Sequence, residues 1–422
     1  MKKHLKESPL YYWEEQSYMM IIPNDENKNL VEGALDRIST IKGLKITDTS
    51  YDIEGHITIK LTYEKEDYEV GLFVEGISVP DYYLNRNFLF TGEVAKKILA
   101  AKTALTIYMK FTENIKKSYQ LELKLALALV PDLIGVLDES AEKMLPAKWV
   151  ELTANSKVLP SSKDLFSIQA VTGKNSKVWL HTHGLCRCHM TELEILESDQ
   201  ENYQNHYNLL SIYAMYVLDK KPPVDPRTES AYIGELINGY PVVVTCRSWT
   251  EGIQEYKKLH LGGEKDREMG HNSMTSVVFL YKSEEDEKQG KLSKVSDYDN
   301  LWGDNPLFFF SDEETFRMKD LAIERFNYVL ENYSKEGNTV LLKIGLPLKE
   351  KGKFEHIWFE LLECKGERFK VKLTQEPYDI PDIHTGYEAW FTKKDVTDWL
   401  IYTPVAAINP SNAYLLDDIK KR

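Results

Sequence analysis

Residues 56–76 read HITIKLTYEKEDYEVGLFVEG, and the alternation in this stretch constrains the chain more than any other feature. Successive side chains of an extended strand point to opposite faces, so a period of two demands one buried and one solvated face. Ile57, Ile59, Leu61 and Tyr63 share one face, and Tyr68, Val70, Leu72 and Val74 share another. The charged Glu64–Asp67 between them predicts a hairpin. A sheet of this kind buries its apolar face only against other elements. Just before it, Tyr18–Pro23 reads as a short apolar strand closed by proline. Asp25 or Asn27 then offers a cap for a helix with Leu30, Ala34, Leu35 and Ile38 on its apolar face.

Further along, helical and extended patterns alternate. After Thr91 a stripe of Val94, Ile98, Ala101, Leu105, Tyr108 and Met109 predicts one long helix. The segment YQLELKLALALVPD alternates like a strand, but its Leu, Ala, Glu and Lys are strong helix formers, so a helix ending before Pro131 is expected. LIGVLD, residues 165–171, YPVVVTCRSW and TSVVFLY read as strands, and residues 199–218 as a helix with capping-box spacing at Ser198 and Glu201. Residues 282–300 are charged and read as an exposed loop. Ser311 and Glu314 open a helix whose stripe is Met318, Leu321, Ala322, Phe326, Val329 and Tyr333. Beyond Ser334–Asn338 the pattern becomes β-rich. The expectation is an α+β chain: mixed or antiparallel sheets with packed helices, then a small β-rich C-terminal domain. Its expected units are 1–78, 79–335 and 336–422.

The net charge of −13 opposes binding to phosphate backbones and to anionic membrane surfaces. Nucleic acid and membrane are therefore not expected partners. The N-terminal lysines are followed by Glu7, Glu14 and Glu15 rather than an apolar core, unlike a signal peptide. Four cysteines in 422 residues do not form a disulfide framework, which points to the cytoplasm.

The densest cluster of reactive side chains is WLHTHGLCRCHMTELEIL, Trp179–Leu196. If it folds as a hairpin, a register summing to 375 sets His183 opposite Glu192 and His181 opposite Glu194. Leu180 then faces Ile195 on the other side. Two imidazoles and two carboxylates suit zinc or another divalent metal, with Cys186 and Cys188 as further ligands. A His–Glu pair also suits acid–base work. Cross-strand His–Glu pairs also occur as satisfied contacts of a half-buried sheet, and that structural reading is preferred. The spacing fits no standard zinc signature. His206 shares a stripe with Leu210 and Tyr213 and reads as packed; His260–His271 reads as a mobile charged loop; Cys246 and Cys364 read as small core residues. Glu355, His356, Trp358, Asp395, Asp398 and Trp399 suit a recognition surface or, in the preferred reading, a thin core filled by tryptophan. No nucleotide-binding or hydrolase motif identifies a cofactor site or a catalytic residue.

FEHIWFELL, TQEP, Gly386 and DVTDW over residues 338–415 resemble elements of domain of unknown function 2314. HTHGL and ELEIL resemble the bacterial family called domain of unknown function 4026, with a weaker likeness to domain of unknown function 4261 through LIGVLD and LPAKWVEL. These resemblances imply a bacterial, intracellular protein and carry no catalytic residues over. The functional expectation is a non-catalytic accessory or binding protein, immunity-like or stress-associated, with a protein partner. The alternative is a metal-dependent hydrolase using His181, His183, Glu192 and Glu194. The charge yields a direct test. Micromolar protein is expected to leave duplex DNA unshifted in a mobility assay at physiological salt, and a salt-dependent shift would contradict it.

Overall fold

The computed structural model describes residues 16–419 except 26–28, 86–89, 91, 174, 220–229, 237–238, 268–274, 303–306 and 351. Asn27, His271 and the first fifteen residues lie outside the described residues. The chain is α+β and divides into two compact units. One comprises residues up to Ala154 and Pro160–Ser311; the other comprises Asn155–Leu159 and residues from Asp312 onward.

The first unit carries two sheets. One is wholly antiparallel, in the order β2-β3-β4-β5-β1-β6-β7. Its strands are β1 (Ser17–Pro23), β2 (Leu44–Tyr51), β3 (Ile57–Tyr63), β4 (Glu66–Gly76), β5 (Thr103–Met109), β6 (Leu133–Asp138) and β7 (Lys143–Pro146). The β3–β4 hairpin pairs Ile59 with Val70 and Leu61 with Tyr68. Paired residues share a side, so both apolar sets line one face, and all but Val74 are buried. Glu64 and Lys65 at the turn have φ of 48° and 75°, the left-handed values a two-residue hairpin turn requires.

Helices α1 (Ala34–Ser39), α2 (Gly92–Ala100), α3 (Ile115–Leu129) and α4 (Ala147–Ala154) accompany this sheet. The first helix begins later than Asp25 predicts, after Gly33, although Leu30, Ala34 and Ile38 are buried as expected. The long helix expected after Thr91 stops at Ala100, and Thr103–Met109 is instead a central strand. Ala104, Leu105, Ile107 and Met109 are all inaccessible. A strand covered on both faces is apolar almost throughout, and such a run can satisfy a helical stripe by chance. The helix expected from Tyr119 to the residue before Pro131 is present and runs from Ile115 to Leu129.

The second sheet runs β15-β11-β12-β13-β10-β9-β8, with β14 on β13. Its strands are β8 (Ser167–Thr172), β9 (Lys177–His183), β10 (Glu192–Asp199), β11 (Ala231–Leu236), β12 (Tyr240–Ser248), β13 (Thr275–Tyr281), β14 (Ser293–Lys294) and β15 (Leu307–Phe308). β10 and β13 are parallel, so this sheet is mixed. Helix α5 (Tyr203–Asp219) packs on β10. Its start is capped by Asp199, whose Oδ1 accepts from the N–H groups of Glu201 and Asn202, rather than by Ser198. The Ser198 hydroxyl instead meets His206 Nδ1 at 2.7 Å, and His206 Nε2 meets Asp299 at 2.8 Å. Both imidazole nitrogens of this packed histidine are therefore occupied. Residues 282–300 hold more order than their charge suggests. They contain helix α6 (Glu284–Lys288, preceded along the chain by the short helical turn Trp249–Gly252), β14, and a turn in which Val295 and Tyr298 are buried.

The second unit holds helices α7 (Asp312–Glu324), α8 (Asn327–Asn332) and α9 (Leu415–Ile419) and one antiparallel sheet, β19-β18-β17-β16-β20-β21. Its strands are β16 (Thr339–Pro347), β17 (Phe354–Lys365), β18 (Arg368–Leu373), β19 (Glu388–Thr392), β20 (Val396–Tyr402) and β21 (Ala407–Ile408). The observed division differs from the expected partition at 78 and 335. β4 and β5 pair directly across position 78, so the strands on either side of it share one sheet. Ala322, Phe326 and Val329 from the helices share a core with Val340, Phe359 and Trp399, so the break falls at Ser311. The Trp399 indole N–H donates to the Ala322 carbonyl at 3.0 Å, and the ring is inaccessible.

This core yields a prediction. Trp399→Ala is expected to destabilise the second unit by about 3–5 kcal/mol through the cavity it leaves. Hydrogen exchange should then accelerate across β16–β20 and stay unchanged in β1–β7; unaltered exchange in β16–β20 would contradict this core assignment.

Candidate functional site

The hairpin β9–β10 forms in the register expected from sequence. Glu194 pairs with His181 and Ile195 with Leu180, before a bulge shifts Ser198 opposite Val178. Leu180 and Ile195 are buried on one face. On the other, the Trp179 and His181 rings lie 4.1 Å apart and the His181 and His183 rings 4.9 Å apart.

The two glutamates do not gather with these imidazoles around a common point. Glu194 accepts from the Trp179 indole at 2.7 Å, from the Thr275 hydroxyl at 2.9 Å, and from Arg267 Nη2 at 2.8 and 2.7 Å through its two oxygens. Arg267 is stacked between the rings of Trp249 and Trp179, at 4.6 and 5.3 Å. Glu192 accepts from the Thr182 hydroxyl at 2.6 Å and from the backbone N–H groups of Gly184 and Cys186 at 2.8 and 3.1 Å. It thereby closes the hairpin loop. Burial raises the pKa of both carboxyls, and these donors oppose the rise. Among the described residues, three ligand atoms within 4.8 Å of one another occur at Asp52, Glu54 and His56, on an exposed turn, and not at His181, His183, Glu192 and Glu194. Cys188 is buried with its thiol pushed up to about 12 by desolvation, and the Cys186 side chain hydrogen-bonds Glu192. The two carboxylates of the expected metal donor set are thus engaged in internal hydrogen bonds. The partner that decides this, Arg267, lies in the segment read from sequence as a mobile loop.

A group that the sequence reading missed sits beneath the same loop. Arg187 is 1% exposed. Its Nη1 donates to Asp138 Oδ1 at 2.7 Å and to the Ser17 hydroxyl at 3.0 Å. Its Nη2 donates to Asp138 Oδ2 at 2.9 Å and to the Leu165 carbonyl at 2.6 Å. The guanidinium stacks on the Tyr119 ring at 4.9 Å. The Ser17 hydroxyl in turn donates a hydrogen bond to Glu122 Oε2 at 2.6 Å. Glu122 is fully buried, and desolvation, opposed by Arg187 and Ser17, pushes its pKa up to about 8. Lys143 lies 4.0 Å from Asp138 and donates to the Asp164 carbonyl; burial brings it down to about 8. A single arginine inside GLCRCH and an aspartate closing the apolar LIGVLD are the only sequence signals of this network.

Arg187 also floors a cleft of about 320 Å³. Gln16, Tyr18, Glu139, Ser140 and Glu142 line it from the ends of β1, β6 and β7, Tyr83 from a short helical turn, and Gly184 and Cys186 from the hairpin loop. Glu142 is held by His183 Nδ1 at 3.4 Å and by the Gln169 amide. Gly184 has φ of 109°, and a Cβ there would lie 2.5 Å from the Leu165 carbonyl, so the loop reaches the floor only as glycine. Partial desolvation of the Glu139 carboxyl, on a residue that stays exposed overall, together with the charges of Glu75 and Glu142, raises its pKa.

The buried carboxyl sets a pH dependence. The folded state holds a proton on Glu122 that the unfolded state, with a pKa near 4.5, releases. Stability contributed by this group is complete below pH 4.5 and is lost as pH rises towards 8. Glu122→Gln mimics the protonated form. Denaturant titrations should show a shallower stability decline between pH 5 and 8 for the variant, by on the order of 1 kcal/mol per pH unit. Identical slopes would contradict a proton on Glu122. Lys143 acts in the opposite sense and only above pH 8, so it does not mask the effect.

Comparison with known proteins places two segments of the chain in one family. Residues 17–160 match the family described as protein of unknown function (DUF4026) N-terminal, and residues 168–279 match its C-terminal counterpart. No curated protein and no solved structure matches significantly.

Proposed function

The chain belongs to the DUF4026 family, and from that premise we propose that it is a bacterial, cytosolic accessory protein that binds a ligand without transforming it. The observation that carries this reading is the polar cleft over Arg187, whose floor is pinned by a buried ion pair and is therefore preorganised. Thiol chemistry is poorly supported there. The thiolate is the reactive form, and Cys188 is held protonated while Cys186 faces the Glu192 carboxylate. A reducing compartment accords with four free cysteines, and no helix among the described residues is long and apolar enough to cross a membrane.

Residues 338–415 extend the proposal with a module similar to domain of unknown function 2314. The Glu355-His356-Ile357-Trp358 element lies on β17, and Trp399 of DVTDW fills the core behind it. In this reading the module serves a protein partner, and neither nucleic acid nor membrane is bound. The hydrolase alternative retains one observation, the 4.9 Å approach of the His181 and His183 rings.

Thermal shift assays against panels of polar small molecules test the main reading. At least one chemical class is expected to raise the melting temperature in a concentration-dependent way. Cys186→Trp, which fills the cleft, should abolish that shift while circular dichroism stays unchanged. Shifts that persist in Cys186→Trp would overturn the cleft as the ligand site. One equivalent of metal in untagged protein, lost in His181→Ala and His183→Ala, would instead favour the hydrolase.

A further inference from the structure

We infer, building on the reading of residues 338–415 as a protein-binding module, that the outer face of its sheet docks a second copy of this chain. The helices of the second unit close one side of that sheet. Ala322, Phe326, Val329 and Leu416 share a core with Leu342 and Phe359 on that side. Strand register defines the other side, because paired residues share a face and successive residues alternate. Leu400, Leu341, Glu360, Lys372 and Glu388 pair in turn across β20, β16, β17, β18 and β19 and form one row on the outer face. Asp398, Lys343 and Trp358 form the next row, and Lys370 pairs with Trp390 on the same face.

An antiparallel sheet that packs on one side and meets water on the other carries polar residues outside. This outer face departs from that pattern. Leu341, Trp358, Trp390 and Leu400 are half-buried but stand outside the core that the helices close. Phe354 and Tyr402, on the same face, are 53% and 45% exposed. Lys343 Nζ lies over the Trp358 ring at 5.6 Å, and the Arg368 guanidinium over the Trp390 ring at 5.5 Å. Tryptophan and arginine are the side chains that anchor protein interfaces.

Charge selects the occupant. The chain carries a net −13, so two copies repel over most of their surface. On this face Lys343, Arg368, Lys370 and Lys372 stand among Glu360, Glu388 and Asp398. Lys370 and Glu388 are joined at 2.7 Å, whereas Glu360 and Arg368, of opposite sign, form no ion pair among the described residues. A two-fold interface brings the same patch of both copies together, and a patch holding both signs complements itself. A strongly charged partner of either sign would leave part of these groups facing like charge. Area supports the same occupant. Strands β16–β20, about 4.8 Å apart and about seven residues long, present roughly 550 Å². Two facing copies then bury roughly 1,100 Å², which clears the roughly 1,000 Å² that a specific interface requires.

Sedimentation of the full chain from micromolar to submillimolar concentration reads the association directly, and a monomer–dimer equilibrium is expected. Trp358→Glu and Leu341→Glu each place a carboxylate twice in a two-fold interface. Either should weaken the dimer by about tenfold or more, with circular dichroism unchanged. Arg368→Glu, at an exposed position, gives the same reading should a face variant lose its fold. Tyr51→Glu, on exposed β2 of the first unit, should leave the equilibrium unaltered. A monomer throughout the range overturns the inference, and so does a dimer that the face variants leave intact. Photo-cross-linking in cells from Tyr402→benzoylphenylalanine separates this inference from the reading it rests on. An adduct of twice the chain mass supports self-docking. An adduct with another protein overturns self-docking and leaves the module a protein-binding one. Absence of any adduct overturns both.

Discussion

The first unit is organised around the ion pair between Arg187 and Asp138. Two charges taken out of water carry a desolvation penalty of several kcal/mol each, and only close, fully hydrogen-bonded geometry offsets it. Here Asp138 receives both terminal nitrogens of the guanidinium, and Ser17 and the Leu165 carbonyl take further N–H groups. Asp138 ends β6 in the antiparallel sheet, while Arg187 belongs to the loop between β9 and β10 of the mixed sheet. The pair therefore ties one sheet to the other within the unit. Removing either partner would strand a buried charge, which is why the contact fixes position more than it adds net stability.

The same loop is held from its other side by Glu192, which caps the N–H groups of Gly184 and Cys186. Glu194, two residues on, does similar work for Arg267, Trp179 and Thr275. Carboxylates with this many donors act as internal acceptors that hold segments distant in sequence. Glu192 and Glu194 are in this way turned towards the protein interior, while the cleft opens at the loop between β9 and β10. Glu139 lines that cleft as an exposed residue.

Much of the local structure was legible in the sequence. The period of two marked β3 and β4, and the position sum of 375 foretold the pairing of His181 with Glu194. Helix propensity chose correctly for 115–129 against an alternating pattern. The same reasoning failed at Thr103–Met109, because a strand buried on both faces loses the polar half of its alternation. It also failed at 260–267, where hydrophilic composition suggested a loose loop and a single arginine instead seats the segment on Glu194.

The sequence by itself determined the fold class, most strand and helix positions, the acidic charge and the face on which His181 and His183 lie. All of these follow from propensities and periodicities that act over a few residues. Only the tertiary structure decided which charges meet: Arg187 with Asp138, 49 residues apart, and Arg267 with Glu194, 73 residues apart. Pairing at such separations depends on how sheets stack and loops close, and no local pattern encodes it. For that reason Glu192 and Glu194 found their partners in Gly184, Cys186, Thr275 and Arg267, and the cleft took its lining from segments that are ordinary in sequence.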